Sequence, residues 1–136
     1  MKNNKALVFI LVCVAAVLTG LLAIPHFRNR PVDGKPFALS DYGDILAMKE
    51  FSSDLQMGAI ADGKDAAEKA EAVWLEVYGD TVEDEKPYVV SHDDENGVWF
   101  VTGSLPSDRW GGSEKGGTAC ILIRDDGTVL AVWHEK

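Results

Sequence analysis

The side chains from which chemistry could be built are few: three histidines, two cysteines, one histidine–acid run and a glycine-rich stretch. The run is His92-Asp93-Asp94-Glu95. A histidine beside carboxylates is the arrangement of a general base, but a base also needs a pocket that tunes its pKa. This run stops just ahead of Gly97, in what reads as a solvated hairpin turn, and the turn is the reading we adopt. His26, His92 and His134 lack the spacing of metal ligands and no Cys-x-x-Cys is present, so structural zinc is not expected. Cys13 lies in an apolar stretch near the N-terminus and Cys120 in a second apolar run, a placement that offers neither a disulfide nor an activated thiol. Gly116-Gly117-Thr118 has glycine where a phosphate-binding loop carries its lysine, and a strand pattern follows where a helix should begin. Phosphate binding is rejected, and no cofactor is expected.

Binding to another protein has better support. Between Pro106 and Gly117 the chain reads Asp108-Arg109-Trp110-Gly111-Gly112-Ser113-Glu114-Lys115. A tryptophan flanked by charges and glycines is a recurrent interface pattern, an aromatic anchor inside a charged rim. Asp108, Trp110 and Glu114 are therefore the candidate partner-binding residues. The alternative is that Trp110 folds back as a lid on the core. Charge adds to the picture. All 22 acidic residues lie after Arg30 with only 9 of the 13 Lys and Arg, a formal charge of −13 from Pro31 onward. Nucleic acid and anionic lipid would be repelled by such a domain, whereas a basic protein would be steered toward it. Solubility alone would also account for the acidity.

Several elements must position these residues. Ala6 to Ile24 is an unbroken uncharged stretch, with Lys2 and Lys5 before it and Arg28 and Arg30 after it. As a helix it spans ~28 Å, close to the ~30 Å hydrocarbon thickness of a bilayer. A cleaved secretory signal shares the basic start, but its apolar part is shorter and ends in a small-x-small site. Leu21-Leu22-Ala23 puts leucine where a small residue belongs, so a retained single-pass anchor is expected. A short basic tail ahead of an apolar segment stays inside, which places the main domain on the extracytoplasmic side. The resulting division is a basic tail over 1–5, an anchor over 6–24, a juxtamembrane linker over 25–43 rich in Pro, Gly and charge, and one small domain over 44–136.

Within that domain, Asp44 to Met57 reads as a short helix, with Ile45, Met48 and Leu55 near helical spacing. The next helix is clearer. Ala66, Ala70, Val73, Trp74, Val77 and Tyr78 form one apolar stripe, Asp65 can cap its start with Glu68 in the capping-box position, and Gly79 stops it. Strand patterns follow at Tyr88–Ser91, Val98–Thr102, Ala119–Arg124 and Val129–His134, the last pair joined by the hairpin signal Asp125-Asp126-Gly127. These final strands are apolar on both faces. One face can pack on the Trp74 helix, and the other must be covered by the first helix, by curvature of the sheet, or by a second copy in a homodimer. The fold class is α+β: an N-terminal transmembrane helix, then helices packed on a curved antiparallel sheet.

The order Trp74, Tyr78-Gly79, Glu85-Lys86-Pro87-Tyr88, Val98-Trp99, Gly103-Ser104-Leu105-Pro106 and Gly116-Gly117, closing on Asp126-Gly127 and His134-Glu135-Lys136, resembles the bacterial immunity proteins of nuclear-transport-factor-2-like fold. The resemblance covers roughly residues 65–136. It implies a cone-shaped α+β domain that binds and neutralises a cognate protein toxin without catalysis. Each motif residue also has a structural reading: Trp74 and Trp99 as core aromatics, Tyr78-Gly79 as a helix end, Lys86-Pro87 as the start of a strand, Gly103 and Gly116-Gly117 as turn formers. The loop after Pro106 is longer than the resemblance leads one to expect. Two other functions stay open: a small enzyme or ligand-binding protein using an apolar cone pocket of the same fold, and an accessory subunit of a cell-envelope complex.

Overall fold

The computed structural model describes residues 30–47, 55–105 and 117–135. The expected anchor over 6–24, the loop residues Asp108, Trp110 and Glu114, and the motif residues Pro106 and Gly116 lie outside them. Among the described residues no helix is long and apolar enough to cross a membrane.

Helix α2, Gly63–Tyr78, follows a two-residue strand β1 at Val32–Asp33, a 3-10 turn at Leu39–Tyr42 and a short helix α1 at Gly43–Ala47. The buried stripe of α2 is Ala66, Ala67, Ala70, Val73 and Trp74, close to the expected one. Val77 departs from it: although spaced with the buried residues, it sits in the last turn and is 40% exposed. The cap also differs. Asp62, not Asp65, is the N-cap, and its carboxylate accepts from Asp65 N at 2.8 Å. Asp65 occupies the third helical position, where its own carboxylate accepts from Ala61 N and Lys69 Nζ, each at 2.8 Å. Two aspartates therefore bond across the helix start, Asp65 reaching the N–H just ahead of the cap, and Glu68 instead forms an exposed 3.6 Å ion pair with Lys64. Gly79 ends the helix at φ +81° and donates to Leu75 O. Asp62→Ala should cost ~1 kcal/mol, a fall of ~4–8 °C in the thermal midpoint of a domain this small, readable by circular dichroism.

A 3-10 segment, Asp80–Glu85, leads into strands β2 Val89–Asp93, β3 Val98–Thr102, β4 Ala119–Arg124 and β5 Val129–His134. The sheet order is β1-β2-β3-β4-β5; β1 runs parallel to β2 and the remaining pairs are antiparallel. Strands β3, β4 and β5 match the sequence reading residue for residue, whereas β2 runs on to Asp93. His92 is thus a strand residue, and the turn begins only after Asp93. The closing hairpin turns as expected at Gly127, with φ +89°.

Both faces of the sheet are covered from within the chain. Val90, Val101, Ile121, Ile123, Val129 and Val132 pack under α2 with Ala66, Ala70, Val73 and Trp74. On the opposite face Val98, Leu122 and Ala131 lie beneath Phe37, Leu39, Tyr42, Ile45 and Leu46. An aromatic group knits this second layer, with Tyr42 5.1 Å from Phe100 and 5.7 Å from Trp133 between ring centroids. Two expectations change accordingly. The compact unit begins at Pro31, so the linker does not extend to residue 43. The cover on the second face is α1 together with the end of that supposed linker, which leaves no need for a second copy there.

Candidate functional site

Among the described motif residues, Tyr78, Lys86, Pro87, Gly103 and Gly117 gather at one end of the sheet, around a residue to which the sequence gives no role, whereas Trp99 lies elsewhere. Glu85, whose side chain is 14% exposed, closes the 3-10 segment after α2. Its carboxylate accepts from Ala119 N at 2.8 Å, and its other oxygen lies 3.4 Å from His134 Nε2. Its backbone carbonyl accepts from Ser104 N at 2.8 Å. One residue therefore holds both strand ends, 103–104 and 117–119, between which the Trp110 segment runs. Gly103 is needed beside it, because a Cβ there would fall onto the Glu85 carboxylate. Gly117 meets the Glu135 backbone in the same way, so it serves close approach of two strands rather than a turn.

Neighbouring motif residues brace this node. Lys86 pairs with Glu71 at 2.7 Å and lies 5.6 Å from the centre of the Tyr88 ring. The Pro87 carbonyl accepts from Ser104 Oγ at 2.8 Å. Tyr88 donates to Val82 O and meets Trp74 edge to face at 5.1 Å. Burial, with Glu71, Glu83 and Glu85 nearby, pushes the Tyr88 hydroxyl far above the ordinary tyrosine range, so it acts as a neutral donor. Trp74 is fully buried and donates to Cys120 O at 3.4 Å. Tyr78 sits edge-on to His134 at 5.5 Å. Nothing in composition marks Glu85 apart from the exposed Glu83 and Asp84 beside it; strand register alone brings its partners into reach.

The histidine–acid run lies elsewhere, beside the β2–β3 turn. His92 Nδ1 is 2.6 Å from Asp94 and Nε2 is 2.8 Å from Asp125, across in the β4–β5 turn. Its ring packs on Trp99 at 4.3 Å between centroids. Trp99 is thus a partly buried support at the core's margin, unlike the fully enclosed Trp74. Each imidazole nitrogen lies within hydrogen-bonding distance of a carboxylate of this chain, so neither is turned toward a substrate position. Asp93, 6% exposed, is satisfied by Leu39 N, Glu95 N, Asn96 N and Asn96 Nδ2, and the N–H bond from Leu39 leads the group that holds its carboxyl below the usual range. Cys120 is no better suited to chemistry: burial raises its thiol to about 11, leaving it protonated. Beside His92 lies an open cleft of about 400 Å³, reached by Asp33, Lys35, Ser91 and Gly63. Among the described residues no cluster of three or more His, Cys, Asp or Glu side chains is arranged to hold a metal ion.

Residues 65–136, from the first turns of α2 through β5, match the model of the family described as NTF2 fold immunity protein. No curated protein and no solved structure matches the chain.

Proposed function

The chain belongs to the NTF2 fold immunity protein family, and from that membership we propose that it neutralises a cognate bacterial toxin by binding it directly, without catalysis. The family match carries this reading; the −13 charge from Pro31 onward gives it a physical form. A strongly acidic domain captures a basic toxin faster than a neutral one would, because the summed field steers the encounter. We assign the contact to the segment bearing Asp108, Trp110 and Glu114, whose two ends are tied together at Glu85. The stretch over 6–24 would anchor the domain in the cell membrane, facing the extracytoplasmic side, where toxin arriving from a neighbouring cell is met first. Catalysis in an apolar cone remains the alternative, but His92 and Cys120 lend it no reactive group.

The test begins with capture of the toxin from the producing strain on the full-length protein, followed by binding kinetics. Association should slow as salt rises while dissociation changes less, since screening weakens steering more than close contact. Reversing the charges at Asp108 and Glu114 should slow capture. Trp110→Ala should mainly speed release, by ~30-fold if it removes ~2 kcal/mol as an interface anchor does. If Trp110 is instead a lid on the core, binding will hold and the melting temperature will fall. Failure to capture any toxin-like protein would count against the whole reading.

A further inference from the structure

We propose that His92 is a pH-operated clasp joining the two hairpin turns at one end of the sheet. Its ring bridges two separate turns, Asp94 after β2 and Asp125 after β4, at 2.6 and 2.8 Å. A carboxylate offers no proton, so each of these contacts requires an N–H on the imidazole, and only the imidazolium has two. When the ring loses a proton, one nitrogen presents a lone pair to a carboxylate oxygen within hydrogen-bonding distance. That contact becomes repulsive, and one turn is released.

The surroundings make the release felt by both turns. Asp125 N donates to Gly97 O at 2.9 Å, and a Cβ on Gly97 would lie 2.8 Å from the Asp125 carboxylate, so the turns already touch. The ring cannot swing away freely, because Trp99 lies against it from β3. Other charged groups reaching the same cleft are Asp33 and Lys35 from the β1 segment, of opposite sign. Helix α2 contributes Gly63 there, which carries no charge. Asp93, the neighbour on the same strand, is occupied by Leu39 and Asn96 and takes no part.

Burial by itself would lower the His92 pKa, but the hydrogen bonds and charges of Asp94 and Asp125 outweigh it and raise the value above the ordinary one. The sign follows. A raised folded-state pKa means that the clasp's stabilisation is complete below ~6.5, the unfolded value, and is lost as pH climbs through the higher folded value. The clasp is closed on the acid side and opens on the alkaline side.

Nitrogen-15 NMR on the full-length protein tests this directly. At pH ~6, below the free-histidine value, the His92 ring should show both nitrogens protonated. On raising the pH, amide signals of Glu95–Gly97 in one turn and Asp126–Thr128 in the other should move with the same midpoint as the ring. Asp94→Asn and Asp125→Asn should each lower that midpoint by about one unit, as removal of an adjacent opposite charge does. His92→Asn should abolish the alkaline transition in both turns and, with it, the alkaline fall in denaturation midpoint. Should His92→Asn fail to fold, the two aspartate variants still decide the matter. A ring with one bare nitrogen below its free pKa, or a midpoint shared with only one turn, overturns the clasp. Toxin binding does not enter this experiment, so its outcome is independent of the proposed function.

Discussion

Trp74→Ala is expected to remove ~3–5 kcal/mol of folding stability, the range for emptying a buried large aromatic site. Trp74 has no exposed surface, and its ring is held between α2 and the sheet. Three losses coincide in the variant: the buried apolar surface, the edge-to-face contact with Tyr88, and the indole N–H donated to Cys120 O. Small domains are stable by only ~5–15 kcal/mol, so the loss takes a large share of the margin. Urea denaturation followed by circular dichroism measures it. Trp74→Phe should retain much of the stability by keeping a ring in the site. A loss below ~1 kcal/mol for the alanine variant would mean that α2 does not pack on the sheet through this residue.

Gly127→Ala is expected to cost at least ~2 kcal/mol, from two additive causes. Its φ of +89° is one that a side chain with a Cβ resists. The added methyl would also point at backbone rather than at a yielding side chain, 2.5 Å from the carbonyl carbon of Gly58. Gly58 belongs to the strip that pairs with this hairpin through Met57 N to Gly127 O and the Gln56–Thr128 bridge, so the clash propagates into the start of β5. Gly43→Ala is the matched control. Gly43 has helical φ and ψ and nothing within 4 Å of the new Cβ, so this change should be neutral or stabilising, by up to ~1 kcal/mol. Equal denaturation midpoints for the two variants would contradict the turn geometry.

How much of this could be read beforehand depended on whether the cause was local. The stripe from Ala66 to Trp74 and the apolar runs of β3, β4 and β5 declare themselves by period alone, and Gly127 declares its turn. Asp62 and Asp65, one helical turn apart, are both competent caps in sequence; the bond from Asp65 N to Asp62 decides between them. Residues 31–43 carry the Pro, Gly and charge content of a linker, yet they belong to the folded unit. Their attachment is made by Val32 N to Tyr88 O and Gly34 N to Val90 O, backbone bonds that no side chain announces. Even so, the two-faced apolarity of β4 and β5 had required a cover, and Phe37, Leu39, Tyr42, Ile45 and Leu46 supply it. His92 reads as part of a solvated turn because Asp125, thirty-three residues on, becomes its partner only through the register of three strands. The sequence names the proposed partner-binding residues Asp108, Trp110 and Glu114, while the part Glu85 plays in tying the ends of their segment emerges only from the fold.

The way β1 and segment 37–46 are attached also determines how the protein would bear load. Tension arriving along the chain ahead of Pro31 meets first the backbone bonds of a two-residue parallel strand, then the half-buried rings of Phe37 and Tyr42. Helix α2 and the four antiparallel strands lie behind these contacts and carry no strain until they yield. A pull from that side would therefore peel away the N-terminal cover as a unit. It would bare Val98, Leu122 and Ala131 while the framework that binds Trp74 and Glu85 kept its shape. The N-terminal cover is thus the layer that a pull on Pro31 loads first.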